Sequence, residues 1–406
     1  MCYTKISEYV TVGHPDRTAD YIASRIITEI YKKDGKSAHA AIEIALFDNK
    51  VIIGGEVRTT LPMTSEYWTP IIREAIDRIG YNKEYRNKFS KDDCYISEDY
   101  EVQVYVNQQS PDIAKGTTDK AETEPGWNDQ GTYVGYCSGE KDTGGLSIPH
   151  YFATSLGNFL YKSALRSEHL GIDIKTLFVY EESENSKIKN VTIAIPSVLP
   201  ENETQLLVKN LYKMWVSTLP VEMQYKVYGA NILINGTGAY KRHGSLGDSG
   251  VTGRKLVVNQ AGNYAAGGSM IKPILASDRL LNLYARHIAK VICATFNSCD
   301  EEEPIKDVQV ELSASIGQTY LGSIRITGSN SGLKKEDYIS LEKYFLSIPV
   351  SPNILNEKWK TLERNNYDEA VFNNFFGLGD YEVEPWEEVT QEEINDLIEN
   401  VFEKVE

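Results

Sequence analysis

Gly247-Asp248-Ser249-Gly250-Val251-Thr252-Gly253-Arg254-Lys255 is the stretch on which the reading of this chain turns. Its glycines let the backbone come close to a ligand, and the Arg254-Lys255 pair suits oxygen anions. It is not a Walker A loop, because no G-x-x-x-x-G-K-[ST] occurs in it, and Gly236-Thr237-Gly238 upstream is no dinucleotide fingerprint. Taken alone, the stretch is either an anion site or a surface turn running into a strand at Leu256-Val257-Val258. Lys272, Asp278 and Arg279 follow, and Asp278 is either a magnesium ligand or the cap of a helix over 278–296.

Moving outward, Gly13-His14-Pro15-Asp16-Arg17 sets imidazole, carboxylate and guanidinium side by side near the N-terminus. Pro15 fixes its own φ and biases His14 toward extended backbone. Asp16 either ligates Mg²⁺, a hard cation that prefers carboxylate oxygen, or caps the helix that starts there. His14 can donate a hydrogen bond to a developing anion. Asn128-Asp129-Gln130-Gly131 is a third compact cluster, and Asp173-x-Lys175 precedes a strand, with both side chains on one face. The remaining histidines, His39, His150, His169, His243 and His287, are scattered and read as structural or solvated.

The bulk of the chain narrows the classes. Its 406 residues exceed one ordinary core, so several domains are expected. A net charge of −16 argues against nucleic acid, whose binding needs an excess of cations, and requires any anion site to be built from particular basic residues. Apolar runs fall far short of the roughly 20 residues of a membrane span. Met1-Cys2-Tyr3-Thr4-Lys5 has no apolar h-region of a signal peptide. Cys2, Cys94, Cys137, Cys293 and Cys299 are odd in number and show no C-x-x-C spacing, which suits a reducing cytoplasm.

Hydrophobic spacing predicts helices over 17–33, 66–79, 149–167, 203–217, 278–296 and 335–347. Strands are predicted over 40–47 and 50–58, joined as a hairpin at Asp48-Asn49, and over 175–180, 188–195, 227–234, 306–315 and 321–327. Residues 112–128 lack apolar period and read as a long mobile loop. Thr390-Gln391-Glu392-Glu393 is a capping box for a last helix. The result is three α+β units with no visible sequence repeat.

In order along the chain, these motifs resemble the S-adenosylmethionine synthetase (methionine adenosyltransferase) family, from Ser7 to Glu387. Ser7-Glu8-Tyr9-Val10 with Gly13-His14-Pro15-Asp16 is similar to the family's S-E-S-V…G-H-P-D-K opening. Glu43 and Gly54-Gly55-Glu56 match its A-C-E and G-G-E strands, and Gln109-Ser110-Pro111-Asp112-Ile113 its Q-S-P-D-I gate. Gly126 to Gly131 resembles G-A-G-D-Q-G, Asp173 and Lys175 its D-x-K, Asn235 to Gly238 its N-P-T-G, and Gly247 to Lys255 its G-D-x-G-L-T-G-R-K. Ser315-Ile316-Gly317 and Pro385-Trp386-Glu387 complete the series.

The resemblance implies an α+β fold of three similar α/β-sandwich-like domains with mixed sheets, related by a pseudo-threefold and interleaved along the chain. The sequence blocks are 1–113, 124–243 and 244–395. It implies that ATP and L-methionine react by attack of the thioether on C5′, and that the triphosphate is cleaved to pyrophosphate and phosphate. His14, Lys175, Arg254, Lys255 and Lys272 would be catalytic; Asp129, Asp173, Tyr240 and Asp248 would join them in binding ATP. Glu56, Gln109, Asp248 and Ile316 would hold methionine, Asp16 and Asp278 two Mg²⁺ ions per site, and Glu43 a K⁺ ion. It further implies a homodimer or homotetramer with shared active sites and no nucleic-acid or membrane partner. The alternatives are a paralogue acting on an altered substrate and a catalytically weak regulatory subunit. Two departures stand out: the family's G-H-P-D-K ends in Arg17 here, and the segment 267–279 is about one residue short, with Ala276 near a family lysine.

Overall fold

The protein is described by a computed structural model covering residues 3–108, 126–183, 186–264, 268–299, 305–329, 333–364, 367–377 and 384–402. Gln109 and most of the loop expected at 112–128 lie outside the described residues. The strands are β1 (Tyr3–Val10), β2 (His39–Phe47), β3 (Lys50–Arg58), β4 (Glu101–Gln108), β5 (Gly131–Ser138), β6 (Lys175–Glu182), β7 (Lys187–Ala194), β8 (Asn231–Ile234), β9 (Gly250–Val251), β10 (Asp307–Ala314) and β11 (Ser323–Ser329).

They form three sheets whose orders are β1-β6-β7-β8, β4-β3-β2-β9 and β11-β10-β5. Each sheet joins strands distant in sequence: β1 runs antiparallel to β6, β5 to β10, and β9 to β2. The sheets are mixed, with β3 parallel to β4 and β7 parallel to β8. One long helix covers each sheet: Pro15–Asp34 lies on β2, Ile148–Arg166 on β1 and β6, and Ser277–Cys299 on β5 and β10. This is the interleaved, three-part α+β arrangement the resemblance implies.

The physical reason lies in the strand alternation. On β2 and β3, Ala40, Ile42, Ile44, Leu46, Val51, Ile53 and Val57 point under the helix and are buried. The pairing Glu43↔Gly54 and Ala41↔Glu56 puts Glu43 and Glu56 on the opposite, open face. Register thus decides that both carboxylates share one surface.

Two expectations need correction. Leu256–Asn259 is a helical turn rather than a strand, because Val258 N and Asn259 N both donate to Lys255 O, at 3.0 and 2.9 Å. The strand expected over 227–234 shortens to β8, because Val221–Val227 forms a helix behind Pro220. Among the described residues, no helix is long and apolar enough to cross a membrane.

Candidate functional site

The glycine stretch lands on the start of the 15–34 helix. A Cβ on Gly250 would stand 2.3 Å from the Pro15 carbonyl oxygen, so only glycine allows this approach. The contact sets Val251 N 2.9 Å from Asp16 Oδ1 and Lys255 Nζ 2.6 Å from Oδ2, with Arg254 Nη1 at 3.6 Å. Asp16 is therefore not the helix cap. That role belongs to His14, whose Nδ1 accepts from Asp16 N at 3.1 Å.

This hydrogen bond fixes the histidine. An Nδ1 that accepts carries no proton, so the neutral ring holds its proton on Nε2. Burial, with Lys175, Lys255, Arg17 and Arg254 nearby, pushes the imidazole down to about 2. His14 is thus a neutral donor ringed by cations. Lys175 reaches it because β6 begins there, paired with Val10 at the end of β1, just before His14.

Lys175 also joins this cluster to Asp173. Asp173 is buried, and its Oδ2 accepts from Tyr240 Oη at 3.0 Å and Gly244 N at 3.1 Å. Its Oδ1 is buried without a partner among the described residues. Burial raises this carboxyl to about 6, opposed by Lys175. Asp248 stands exposed beside it, its N–H on the Gly244 carbonyl at 3.0 Å.

A third group faces the open side of the β2-β3 sheet. Lys272 Nζ lies 2.6 Å from Glu43 Oε1, and Thr252 Oγ1 donates to Glu43 Oε2. Lys272 also acts on Asp278, whose carboxyl burial pushes up. The start of the 277–299 helix is held from outside by Asn128, whose Oδ1 accepts from Ser277 N at 2.8 Å. Asp278 is accordingly not needed as its cap. Asp129 lies near Asp278 and raises it further. Asp129 and Ile316 ride on two segments laced by Trp127 N to Gln318 O and Gly317 N to Trp127 O, both 2.8 Å. Glu56 faces His39 at 3.7 Å. Among the described residues, Glu56 and Asp129 share no hydrogen bond or ion pair with the His14 cluster.

The sequence reading missed the residues that hold the glycine stretch down. Asp20 is buried, accepts from Gly253 N at 2.9 Å and from Asn259 Nδ2 at 2.8 Å, and burial raises it to about 6. It sits one helical turn beyond Asp16, so i,i+4 spacing is the signal that could have found it. Arg17 is fully buried and donates to Asn259 Oδ1 and to Val371 O, the latter at 2.6 Å. The departure at Arg17 is therefore a packing feature. Ala276 is buried as well.

Among the described residues no group of three or more His, Cys, Asp or Glu side chains converges as a metal site, and the carboxylate best suited to a hard cation is Asp278. Asp278 lies so close over Gly268 that a Cβ there would stand 2.0 Å from its carboxylate, leaving a cradle of backbone with no side chain. A carboxyl destabilised by burial and by Asp129 is one that a hard cation would stabilise. Asp16 is a second carboxylate, but Lys255 holds its Oδ2 at 2.6 Å and Val251 N its Oδ1 at 2.9 Å, so it would accept a cation only once Lys255 has moved to a phosphate. For K⁺ the fit fails: Glu43 already carries the Lys272 ammonium.

Comparison with known proteins places the chain in a family. The model of the S-adenosylmethionine synthetase N-terminal domain matches residues 2–111, and that of the C-terminal domain matches 243–388. An S-adenosylmethionine synthase of Staphylococcus epidermidis is 30% identical over 96% of this chain and 97% of its own. One of Acholeplasma laidlawii is 32% identical over 78% of this chain and 80% of its own. A solved structure described as an unusual S-adenosylmethionine synthetase from Campylobacter jejuni superposes with a TM-score of 0.81 at 28% identity, covering 99% of both chains.

Proposed function

The chain belongs to the S-adenosylmethionine synthetase family, and from that premise we propose how its own residues make S-adenosylmethionine from ATP and L-methionine. It is a methionine adenosyltransferase. The observation that carries the mechanism is the neutral, Nε2-protonated His14 set among Lys175, Arg254 and Lys255.

A thioether sulfur is neutral and nucleophilic, so attack on C5′ needs no base. It needs alignment and a stabilised leaving group. His14 Nε2–H meets the oxygen that bridges C5′ to the triphosphate as negative charge grows there. Because the ring is neutral, it donates without giving up a full positive charge. Lys175, Arg254 and Lys255 hold the phosphate oxygens, and Lys255 leaves Asp16 to do so. Asp173 and Tyr240 border the nucleoside, Tyr240 stacking on the adenine. Glu56, Gln109 and Asp248 take methionine's ammonium and carboxylate, and Asp129 and Ile316 line the pocket.

The family depends on Mg²⁺ and K⁺. Asp278, and Asp16 once Lys255 has moved to the phosphates, would hold two Mg²⁺ ions, which would neutralise the polyphosphate and polarise its oxygens. The same cations that hold the leaving triphosphate position it for cleavage to pyrophosphate and phosphate. Two copies meet across the open face of the β4-β3-β2-β9 sheet, which carries Glu43 and Glu56, so that the site is shared. A binding-only subunit needs none of the His14–Asp16–Lys255 geometry, which disfavours that alternative.

Incubating the protein with ATP, methionine, Mg²⁺ and K⁺ tests this reading. It predicts S-adenosylmethionine by mass, with pyrophosphate and phosphate in equal amounts. Intact triphosphate as the main product would remove the second step, and no sulfonium product at all would remove the first.

A further inference from the structure

Lys272 sits where the K⁺ of the family's cofactor set does not fit this chain. Its ammonium lies 2.6 Å from Glu43 Oε1, while Thr252 Oγ1 donates to Oε2. Both carboxylate oxygens are engaged, and one of the partners already brings a full positive charge. A potassium ion on the same carboxylate would stand within a few ångströms of that ammonium and repel it.

The backbone that carries Lys272 is held in place. Its chain neighbours Met270, Ile271 and Ile274 are buried, Ile271 N donates to Ser269 Oγ at 3.1 Å, and Arg279 Nη1 donates to Lys272 O at 3.5 Å. On the other side, Thr252 is stitched to β2 by Thr252 N to Ile44 O at 3.0 Å and Ile44 N to Thr252 Oγ1 at 3.1 Å. The charged groups facing the ammonium are Glu43 from β2 and Asp278 from the 277–299 helix. A lysine ammonium is a compact, strongly hydrated point charge with three donors, a fair substitute for a monovalent cation. Being tethered, it needs no ion from solution to fill the place.

We propose that Lys272 is a built-in monovalent cation: its ammonium takes at Glu43 the place that the family gives to K⁺, and the enzyme works without potassium. Lys272 then orders β2 and the Thr252 turn against the 268–276 segment, and phosphate binding falls to Lys175, Arg254 and Lys255. The inference rests on the reading of the chain as an S-adenosylmethionine synthetase.

The test compares S-adenosylmethionine formation in potassium chloride and in tetramethylammonium chloride at equal ionic strength, with Mg²⁺ saturating. The wild type is expected to differ by less than about twofold, and Lys272→Met to lose roughly tenfold or more in tetramethylammonium and regain it in potassium, as removal of a charged hydrogen bond implies. A thallium(I) NMR titration of the same proteins is independent of turnover. It should show no potassium-competed site in the wild type and a new one in Lys272→Met. A wild type activated more than about twofold by potassium, or one that binds thallium(I) in competition with potassium, overturns the inference. So does a Lys272→Met protein that behaves like the wild type in both salts. A variant that folds but is inactive in both salts is decided by thallium(I): a gained site supports the inference and no site overturns it. If no S-adenosylmethionine forms from any protein, the functional reading fails, while the thallium(I) result still judges the built-in cation.

Discussion

Protonating His14 would break its Nδ1 hydrogen bond to Asp16 N and add charge beside Lys175, Lys255, Arg17 and Arg254. The ring therefore stays neutral across the physiological range and acts as a fixed donor. Replacing it with alanine removes the donor but none of the phosphate cations. His14→Ala should lower kcat by about 10²–10³-fold, the size of losing one oxyanion donor, with ATP affinity nearly kept. The wild-type rate should show no ionisation of a histidine near pH 6.5. A rate that fell with a midpoint there, and lost that limb in His14→Ala, would show that His14 titrates.

The same shift has a consequence for stability. Burial first, and nearby cations second, holds His14 at about 2 and His150 at about 4; burial holds His243 at about 4. Their unfolded value is 6.5, so between 6.5 and about 4 the unfolded chain binds protons that the folded chain refuses. Stability is present above 6.5 and is lost as pH falls through that window. Asp20 and Asp173, raised by burial to about 6, work the other way between about 6 and 3.8. Near pH 6.5 the three buried histidines outweigh the two raised carboxyls. Urea unfolding should therefore give a free energy that falls as pH drops from 7 toward 6. A free energy that rises there contradicts the buried neutral histidines.

At the scale of elements, the glycine stretch works because Asp20 pins it. Asp20→Ala would leave Gly253 N and Asn259 Nδ2 without their acceptor and release the turn that aims Arg254 and Lys255. The expected cost is about 2 kcal/mol or more, since each buried donor left unmade costs roughly 1–3. It should appear in urea unfolding, accompanied by weaker ATP binding. Unchanged ATP binding in a destabilised Asp20→Ala would make the residue purely structural.

The long helices and the β2–β3 hairpin were legible in the sequence because apolar spacing and Gly80, the left-handed C-cap, are local signals, whereas the short helices Val221–Val227, Pro352–Trp359 and Tyr367–Asn373 were not. Periodicity left β1, β4 and β5 unassigned, and β1 and β5 are strands whose partners lie far along the chain. Their interleaving was implied only by the family resemblance. In the site, His14, Asp16, Arg254 and Lys255 could be singled out by type and spacing. The ion pair of Lys272 with Glu43 could not, because it joins residues 229 apart in the chain.

At the scale of the whole molecule, the fold gathers distant pieces around one short path. The turn between β1 and the Pro15–Asp34 helix supplies His14, the start of β6 supplies Lys175, and the stretch at β9 supplies Arg254 and Lys255. All of these groups gather about His14 and are assigned to the triphosphate; of the residues assigned to methionine, Glu56 and Ile316 lie on other elements and Asp248 on the glycine stretch itself. Such a division suits a single in-line displacement, with sulfur entering C5′ opposite the departing oxygen. The most direct test is ATP carrying one deuterium of defined configuration at C5′, followed by NMR of the S-adenosylmethionine formed. The account predicts inversion at C5′. Retention would mean that a group on the enzyme attacks C5′ first, and would contradict direct attack by the thioether.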